Sequence, residues 1–248
     1  MKRVLKTGIV IMGIAFLAPS LKAQEKKGVS FQVSGDVVSS YVWRGAYNAG
    51  ASIQPTLGMS IGNFSFTAWG SKEISDTHKE IDLTAAYSFG KFGIAVTDYW
   101  WDGEKIGNEH AEETNNNYFH FDNHTTAHYI EAGLNYKISE NFPLSIAWNT
   151  MFWGADKKGN GDQNYSSYVE LNYPFEVKGI ALNATLGISP YDSDLYGVSS
   201  FAVCNLALGA TKDIKISSSF SLPLFAKLIF DPAHEDTHMV LGLSLIHI

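Results

Sequence analysis

The sequence predicts an all-β fold, a closed antiparallel up-and-down transmembrane β-barrel of about twelve strands. Three observations support this prediction. Apolar and polar residues alternate with a period of two in one segment after another, as in strands with one apolar and one polar face. Long polar connections alternate with tight turns, and the chain opens with a segment typical of exported proteins. No apolar run approaches the roughly 20 residues that a helical membrane span needs.

Residues 1–23 are predicted to form a secretory signal peptide. Lys2, Arg3 and Lys6 give a positive start, an apolar core follows, and Ala23 provides a small residue before the cleavage point. We expect residues 24–248 to form a single outer-membrane β-barrel domain, because no Pro/Gly/Ser-rich linker divides them. Cys204 is the sole cysteine of the chain, so no internal disulfide can stabilise this domain.

The charge of the chain argues against nucleic acid as a partner. The predicted signal peptide holds four of the 18 basic residues and none of the 25 acidic ones, so the rest carries a formal charge of −11. A nucleic-acid-binding domain needs a basic surface instead.

The first predicted strand, residues 30–45, shows the alternation best. Its odd positions are mostly apolar or small and end in Tyr41 and Trp43, whereas its even positions include Asp36 and Arg44. In a soluble sandwich the polar face would meet bulk water; in a transmembrane barrel it would face the lumen and the apolar face would meet lipid. The signal peptide and the repetition of the pattern favour the barrel.

The same alternation recurs along the rest of the chain, separated by two kinds of connection. Gly62–Asn63 and Gly90–Lys91 predict tight turns. These two are examples of the even-numbered connections, counted from the first strand; the odd-numbered connections are polar loops, at residues 46–50, 73–79, 102–125, 154–163, 190–197 and 231–236. An up-and-down barrel places all the loops at one rim and all the turns at the other. Pro55 and Pro223 fall inside predicted strands, so we expect bulges or strand ends there.

Aromatic residues cluster at both ends of the predicted strands, which predicts two girdles at the membrane interfaces. The girdle at the loop ends would consist of Tyr41, Trp43, Trp69, Trp100, Trp101 and Trp153. The girdle at the turn ends would consist of Tyr87, Phe89, Phe92, Tyr136, Phe142 and Tyr173.

The polar faces of the strands predict an acid-rich lumen. Its acidic residues would be Asp36, Glu80, Asp82, Glu131 and Glu170, and its basic residues Arg44 and Lys227. An acidic wall attracts cations and repels anions, which predicts a weak cation preference if the pore is open. The alternative is that these charges pair across the lumen and fill it. In either case a buried Arg44 needs a carboxylate partner.

The long loop over residues 102–125 contains several histidines and carboxylates, including His120, Asp122 and His124. Such a cluster could bind a divalent metal or fold inward as a constriction, but a solvated external loop explains the same composition and is preferred. We therefore expect no metal site and no cofactor.

Enzymatic barrels are a further alternative. The segment Asp76-Thr77-His78 and the segment Asp236-Thr237-His238 lie in two predicted external loops, and an outer-membrane hydrolase would need such groups at its rim. Short Asp/His pairs are common in polar loops, so we expect no catalytic residues and no enzyme.

The segment Val-Ser-Ser-Tyr-Val-Trp-Arg-Gly at residues 38–45 resembles the N-terminal signature of the TorF-family porins. In that family a Ser-Asp-Tyr-Val-Phe-Arg-Gly-like first strand follows the signal peptide; Ser40 and Trp43 here replace its Asp and Phe. The resemblance implies an outer-membrane channel and suggests that Arg44 lies at the rim of the lumen.

Together these observations predict a porin-like channel of the bacterial outer membrane for passive passage of small solutes or ions, in contact with outer-membrane lipid. A plugged structural or adhesive barrel is the alternative, with a hydrolase less favoured. The sequence leaves monomer and oligomer both open.

Overall fold

A computed structural model describes residues 28–75, 78–101, 117–217 and 220–247, and these residues form an all-β structure. The predicted signal peptide lies outside the described residues. The strands are β1 (Val29–Val38), β2 (Tyr41–Trp43), β3 (Ala46–Ala49), β4 (Ser52–Ile61), β5 (Phe64–Glu73), β6 (Lys79–Phe89), β7 (Phe92–Trp101), β8 (His128–Lys137), β9 (Ser145–Gly154), β10 (Ser167–Val177), β11 (Ile180–Ser189), β12 (Ala202–Lys215), β13 (Ser221–Asp231) and β14 (Asp236–His247). None of these residues belongs to a helix with the length and apolar character of a helical membrane span.

Twelve of the described strands close into one antiparallel barrel, which confirms the predicted fold class. Strands β4 to β14 pair in chain order, and β1 pairs with β4 on one side and with β14 on the other. Closure leaves no free sheet edge among these strands. The short strands β2 and β3 pair only with each other, as a separate hairpin.

The first strand ends earlier than the alternation predicted. The strand expected over residues 30–45 stops at Val38, and residues 41–49 form the β2–β3 hairpin instead. Ser39 ends the pairing with β14, because its backbone N–H donates to Leu241 O at 2.8 Å and its Oγ accepts from Leu241 N at 2.9 Å. The alternation alone could not show this break, because an inserted hairpin has the same period of two.

The barrel is apolar outside and polar inside. Large hydrophobic side chains lie exposed on the outer wall of every barrel strand except β11, for example Phe31 at 71% and Leu57 at 58%. Residues of opposite parity on the same strands, such as Gln54 and Ser244, are buried in the interior. This distribution reverses that of a soluble sandwich and suits a barrel whose outer wall meets lipid.

Pro55 and Pro223 each lie where backbone pairing with one of the two neighbouring strands is interrupted. Pro55 pairs with Gly35 of β1, but the pairing of β4 with β5 skips from Ile53 to Thr56. Pro223 pairs with β12, whereas β14 pairs with β13 only from Leu224 onward. The missing backbone N–H of each proline therefore falls where pairing with one neighbouring strand is already absent.

Glycines on the interior face make room for large side chains of the next strand. A Cβ added at Gly187 of β11 would lie 1.9 Å from the Tyr168 hydroxyl oxygen, and one added at Gly242 would lie 2.2 Å from Phe225 Cζ. Tyr168 and Phe225 thus lie flat against the wall, over a neighbouring backbone that lacks a side chain.

We expect the Gly187→Ala variant to destabilise the barrel by about 1–3 kcal/mol, the usual cost of overpacking. Tyr168 would have to leave its position, because the new methyl group would overlap its ring. The measurement is urea-induced unfolding of the protein refolded into lipid vesicles. Gly209→Ala is the matched control, because its Cβ would meet Lys227 Cγ at an ordinary 3.6 Å. Equal stability of the two variants would contradict this packing account.

Candidate functional site

The β2–β3 hairpin, residues 41–49, folds from the loop end into the barrel. Tyr41 and Ala49 are buried, and the turn at the tip is made by Arg44 and Gly45, both with positive φ angles of 51° and 98°. A Cβ at Gly45 would lie 1.9 Å from Cys204 O, so the tip touches the backbone of β12 on the inner wall. Glycine is required at this position both by its φ and by this close approach.

Arg44 ties the tip of the hairpin to the opposite wall. Its guanidinium donates to both carboxylate oxygens of Glu131 on β8, at 2.6 and 2.8 Å, and to the hydroxyl oxygen of Tyr196 at 2.5 Å. The side chains of Arg44 and Glu131 are only 8% and 4% exposed. Tyr99 also donates to Glu131 at 2.9 Å, so both oxygens of this buried carboxylate have donors.

Aromatic rings surround the guanidinium and fill the barrel at this level. The Arg44 Cζ lies 4.5 Å from the centre of the Trp43 ring and 4.7 Å from that of Tyr168, in cation–π geometry. Trp43 in turn packs against three further rings at 5.7 to 5.9 Å. We call this group the aromatic plug; its members are Trp43, Tyr99, Trp101, Tyr129, Tyr168 and Tyr196.

Loops at the same end complete the aromatic plug. Leu195 and Tyr196 belong to the connection between β11 and β12, and both pack against Trp43 or its neighbours. Asp156, in the connection between β9 and β10, accepts from the backbone N–H and the hydroxyl of Ser166 at 2.8 and 2.7 Å. Burial raises the pKa of the Asp156 carboxyl, and these hydrogen bonds oppose that rise. The loop end of the barrel is therefore narrowed by packed side chains.

The predicted loop-end girdle is wrong for four of its six residues. Tyr41 and Trp43 belong to the inserted hairpin, and Trp69 and Trp101 lie on the interior face, where they pair with Asp82 and Glu80. Tyr41 and Trp69 contact each other with ring centroids 5.5 Å apart. Position near a strand end does not fix the face of a strand, because a shift of one residue exchanges outside and inside.

Trp100 and Trp153, the other two residues of that predicted girdle, pair with outward-facing residues. Trp100 pairs with Ile81, which is 41% exposed, and Trp153 pairs with Ile130. The predicted girdle at the turn ends does lie on the outer wall. There Phe92 packs against Phe89 and Tyr136 with ring centroids 5.7 and 4.7 Å apart.

The described end of the long loop packs against the outside of the barrel. His128 on β8 is hydrogen-bonded to Asp98 and to Tyr118 O, both at 2.7 Å, and Phe121 stacks on its ring. Tyr118 also contacts Trp100. Residues 102–116, including most of the predicted histidine and carboxylate cluster, lie outside the described residues, as do Asp76 and Thr77.

The predicted lumen-lining charges form three groups. Arg44 and Glu131 make the buried pair within the aromatic plug. Asp36, Glu170 and Lys227 form a second group: Asp36 accepts from Ser244, Glu170 accepts from Tyr168 and Asn172, and Lys227 is close enough to both acids to feel their charge. Glu80 and Asp82 make the third group, beneath Tyr41.

The histidines of the two Asp-Thr-His segments flank the hairpin. His78 lies beside Tyr41 with ring centroids 6.2 Å apart, and His238 lies beside Tyr47 at 6.0 Å. His238 Nε2 is 3.5 Å from Asp236 Oδ2. Within the described ranges, no three His, Cys, Asp or Glu side chains gather in a geometry that could hold a metal ion.

Sequence reasoning missed the hairpin and the residues that receive it. One signal was present: Arg44-Gly45 lies between Tyr41-Val42-Trp43 and Ala46-Tyr47, which is compatible with a two-residue hairpin turn. Tyr168 and Tyr196, in contrast, carry no local signal, because their role depends on a contact between distant parts of the chain.

We expect Arg44→Ala to destabilise the barrel by about 3–5 kcal/mol, because it leaves the buried Glu131 carboxylate without its charged partner. Urea-induced unfolding in lipid vesicles measures this change. In a double-mutant cycle, Arg44→Ala combined with Glu131→Gln should cost less than the sum of the single changes. Additive costs would show that the two side chains do not interact.

We also expect a pH-dependent contact at the loop rim. The hydrogen bond between His234 Nδ1 and Asp231, 2.7 Å long, raises the pKa of His234, and His234 Nε2 lies close to Gly197, next to Tyr196. The pKa of His234 is higher in the folded protein than in the unfolded chain. The contact of protonated His234 with Asp231 therefore stabilises the fold fully below the unfolded pKa of about 6.5, and this stabilisation is lost as the pH rises through the folded pKa. Hydrogen exchange of residues 190–201 should therefore become faster between pH 6 and 8 beyond its intrinsic pH dependence. The His234→Asn variant should lack that excess; the same excess in the variant would refute the assignment.

Comparison with known proteins found no family model that matches the chain and no match among curated proteins. Among solved structures, the chain is similar to the crystal structure of an outer membrane channel from Pseudomonas putida F1. The two are 14% identical over 87% of this chain and 94% of that chain, with a TM-score of 0.43.

Proposed function

We propose that this protein is a porin-like channel of the bacterial outer membrane that passes small solutes passively, with a weak preference for cations. The observation that carries the proposal is a closed barrel with an apolar outer wall and charged residues on its inner wall. A barrel that only filled space could use apolar side chains inside. Charged interior residues are typical of a wall that meets water and ions.

Location in the outer membrane follows from the same outer wall together with the predicted signal peptide. Exposed apolar side chains surround the barrel, and aromatic rings such as Phe89, Phe92 and Tyr136 contact one another at the turn end. Aromatic rings are favoured at the boundary between acyl chains and head groups. Outer-membrane lipid is therefore the proposed surrounding medium, and the TorF-like segment at residues 38–45 agrees with this location.

The proposed cation preference depends on the balance of interior charges. Arg44 is neutralised by Glu131, and Lys227 is close enough to Asp36 and Glu170 to interact with the charge of both. Glu80 and Asp82 add negative charge that no basic residue in the described interior balances at hydrogen-bonding distance. The net interior charge is negative, which lowers the energy of a cation relative to an anion.

A plugged structural or adhesive barrel is the second candidate, and the aromatic plug is the observation that favours it. Trp43 and its neighbours are packed at the loop end, and the bidentate Arg44 contact fixes the hairpin across the lumen. In the channel proposal the hairpin is a constriction that controls the width of the solute pathway through the lumen. Neither candidate assigns the protein a catalytic activity.

Single-channel conductance of residues 24–248, refolded and inserted into a planar bilayer with a salt gradient, tests the proposal. We expect reproducible current steps and a reversal potential that favours cations. Glu170→Gln should weaken this preference and Lys227→Gln should strengthen it, because the two side chains face the same part of the lumen. A folded barrel that stays silent, also as the Arg44→Ala variant, would overturn the channel in favour of the plugged barrel.

A further inference from the structure

A second cluster of polar side chains lies on the inner wall beside the hairpin. Gln54 of β4, Ser71 of β5 and Glu80 of β6 are lateral neighbours on three adjacent strands: Gln54 Nε2 donates to Ser71 Oγ at 3.2 Å, and Ser71 pairs with Glu80 in the ladder. Asp82 follows Glu80 by two residues and so shares its face of the sheet. Its carboxyl group is close enough to that of Glu80 for the two to interact directly.

All four side chains are removed from solvent. The exposed fractions are 0% for Gln54, 1% for Glu80, 2% for Ser71 and 5% for Asp82. Tyr41 covers the cluster from the hairpin and packs against Trp69, which pairs with Asp82. Two neighbouring carboxylates in such a place are costly unless a positive charge compensates them.

The cluster holds several buried acceptors that no donor of the described residues meets with hydrogen-bond geometry, although the Tyr41 hydroxyl lies close to Glu80. These atoms are both carboxylate oxygens of Glu80, Oδ1 of Asp82 and Oε1 of Gln54. The Gln54 oxygen is an observation independent of the two acids, because it belongs to a neutral side chain whose amide nitrogen is already engaged by Ser71. The nearest basic group, His78 Nε2, is 3.9 Å from Glu80 Oε2, beyond hydrogen-bonding distance.

The other acids of the lumen differ in this respect. Glu131 has Arg44 and Tyr99 as donors, Asp36 has Ser244, and Glu170 has Tyr168 and Asn172. Among the interior carboxylates of the described residues, buried oxygens without a donor therefore occur at Glu80 and Asp82, whereas the other such acceptors are the amide oxygens of Gln54, Asn183 and Asn205. Buried acceptors without donors mark a place where a cation would satisfy several oxygens at once.

We propose that Glu80, Asp82 and Gln54 form a binding site for a divalent cation of the calcium type. Two carboxylates give a charge of −2, which one divalent ion neutralises, and all the candidate ligand atoms are oxygens, as Ca²⁺ prefers. Two carboxylates and one amide oxygen leave further coordination positions for water. Ca²⁺ accepts irregular oxygen geometry, whereas Mg²⁺ requires a nearly ideal octahedron and keeps more of its water.

Binding at this site would also act on the hairpin. Tyr41 lies over the two acids and its ring contacts both Trp69 and His78. A bound cation removes the repulsion between the carboxylates beneath Tyr41 and so stabilises the inserted position of the hairpin. The site requires only the folded barrel and not ion conduction, so its failure and that of the channel proposal can be distinguished.

The test uses residues 24–248 refolded in detergent micelles and freed of divalent ions with a chelator. Tb³⁺, an analogue of Ca²⁺, is added and its emission is recorded while the aromatic residues are excited, because Tyr41 and Trp69 would lie near the bound ion. We expect saturable emission that Ca²⁺ abolishes and Mg²⁺ abolishes only at concentrations at least tenfold higher. Calorimetric titration with Ca²⁺ should give one site, and Ca²⁺ should raise the thermal unfolding midpoint.

Glu80→Gln and Asp82→Asn keep the size of each side chain and should each weaken binding at least tenfold. Glu170→Gln is the matched control, since it removes an interior acid outside the cluster and should leave the Tb³⁺ signal unchanged. Heat-modifiable migration in gels confirms that each variant is folded, and either acid variant suffices if the other does not fold. Absence of saturable Tb³⁺ binding to the wild type would overturn the site; this is the result expected if the two acids share a proton instead. An equal loss of binding in the Glu170→Gln variant would also overturn it.

Discussion

Closure of the sheet between β1 and β14 is the constraint on which the rest of the structure depends. A closed antiparallel sheet satisfies the backbone hydrogen bonds of every strand with its neighbours, so no edge is left to face lipid. It also divides the side chains of each strand strictly between an outer and an inner wall. Apolar residues on one wall and polar residues on the other then follow from the parity of each position.

The interior at the loop end is shaped by a segment that takes no part in this closure. After Ser39 the chain leaves the sheet, forms the β2–β3 hairpin and reaches the far wall with Arg44. A guanidinium so far from water needs a partner of opposite charge, and Glu131 provides both oxygens. The rings of Trp43 and Tyr168 lie against the guanidinium, exclude water and strengthen this contact.

Interior charges are therefore not equivalent, although they share one wall. The Arg44 and Glu131 pair is internally compensated, and Lys227 compensates part of the charge of Asp36 and Glu170. Glu80 and Asp82 have no such compensation from the described side chains at hydrogen-bonding distance. The negative charge of the lumen is then concentrated beside the hairpin, where aromatic side chains fill the interior. Constriction and negative potential at the same level are what the proposed cation preference requires.

The sequence by itself determined the fold class, the number of barrel strands and the alternation of loops and turns. Each of these depends on local patterns: a period of two, tight turns such as Gly62-Asn63, and polar connections. It also determined which residues of the regular strands share a face, because parity along a strand is a local property. Asp36, Glu80 and Glu170 could therefore be assigned to the interior before any contact was known.

Only the tertiary structure decided where the first strand ends and which aromatic residues face inward. The alternation over residues 30–45 continues through the hairpin, so its period gave no sign that residues 41–49 leave the wall. Trp69 and Trp101 lie near strand ends, as interfacial residues do, yet their registers with Asp82 and Glu80 place them inside. The partners of Arg44 come from β8 and from a loop 152 residues away in sequence. Contacts of this kind arise from closure of the whole barrel, and no local pattern encodes them.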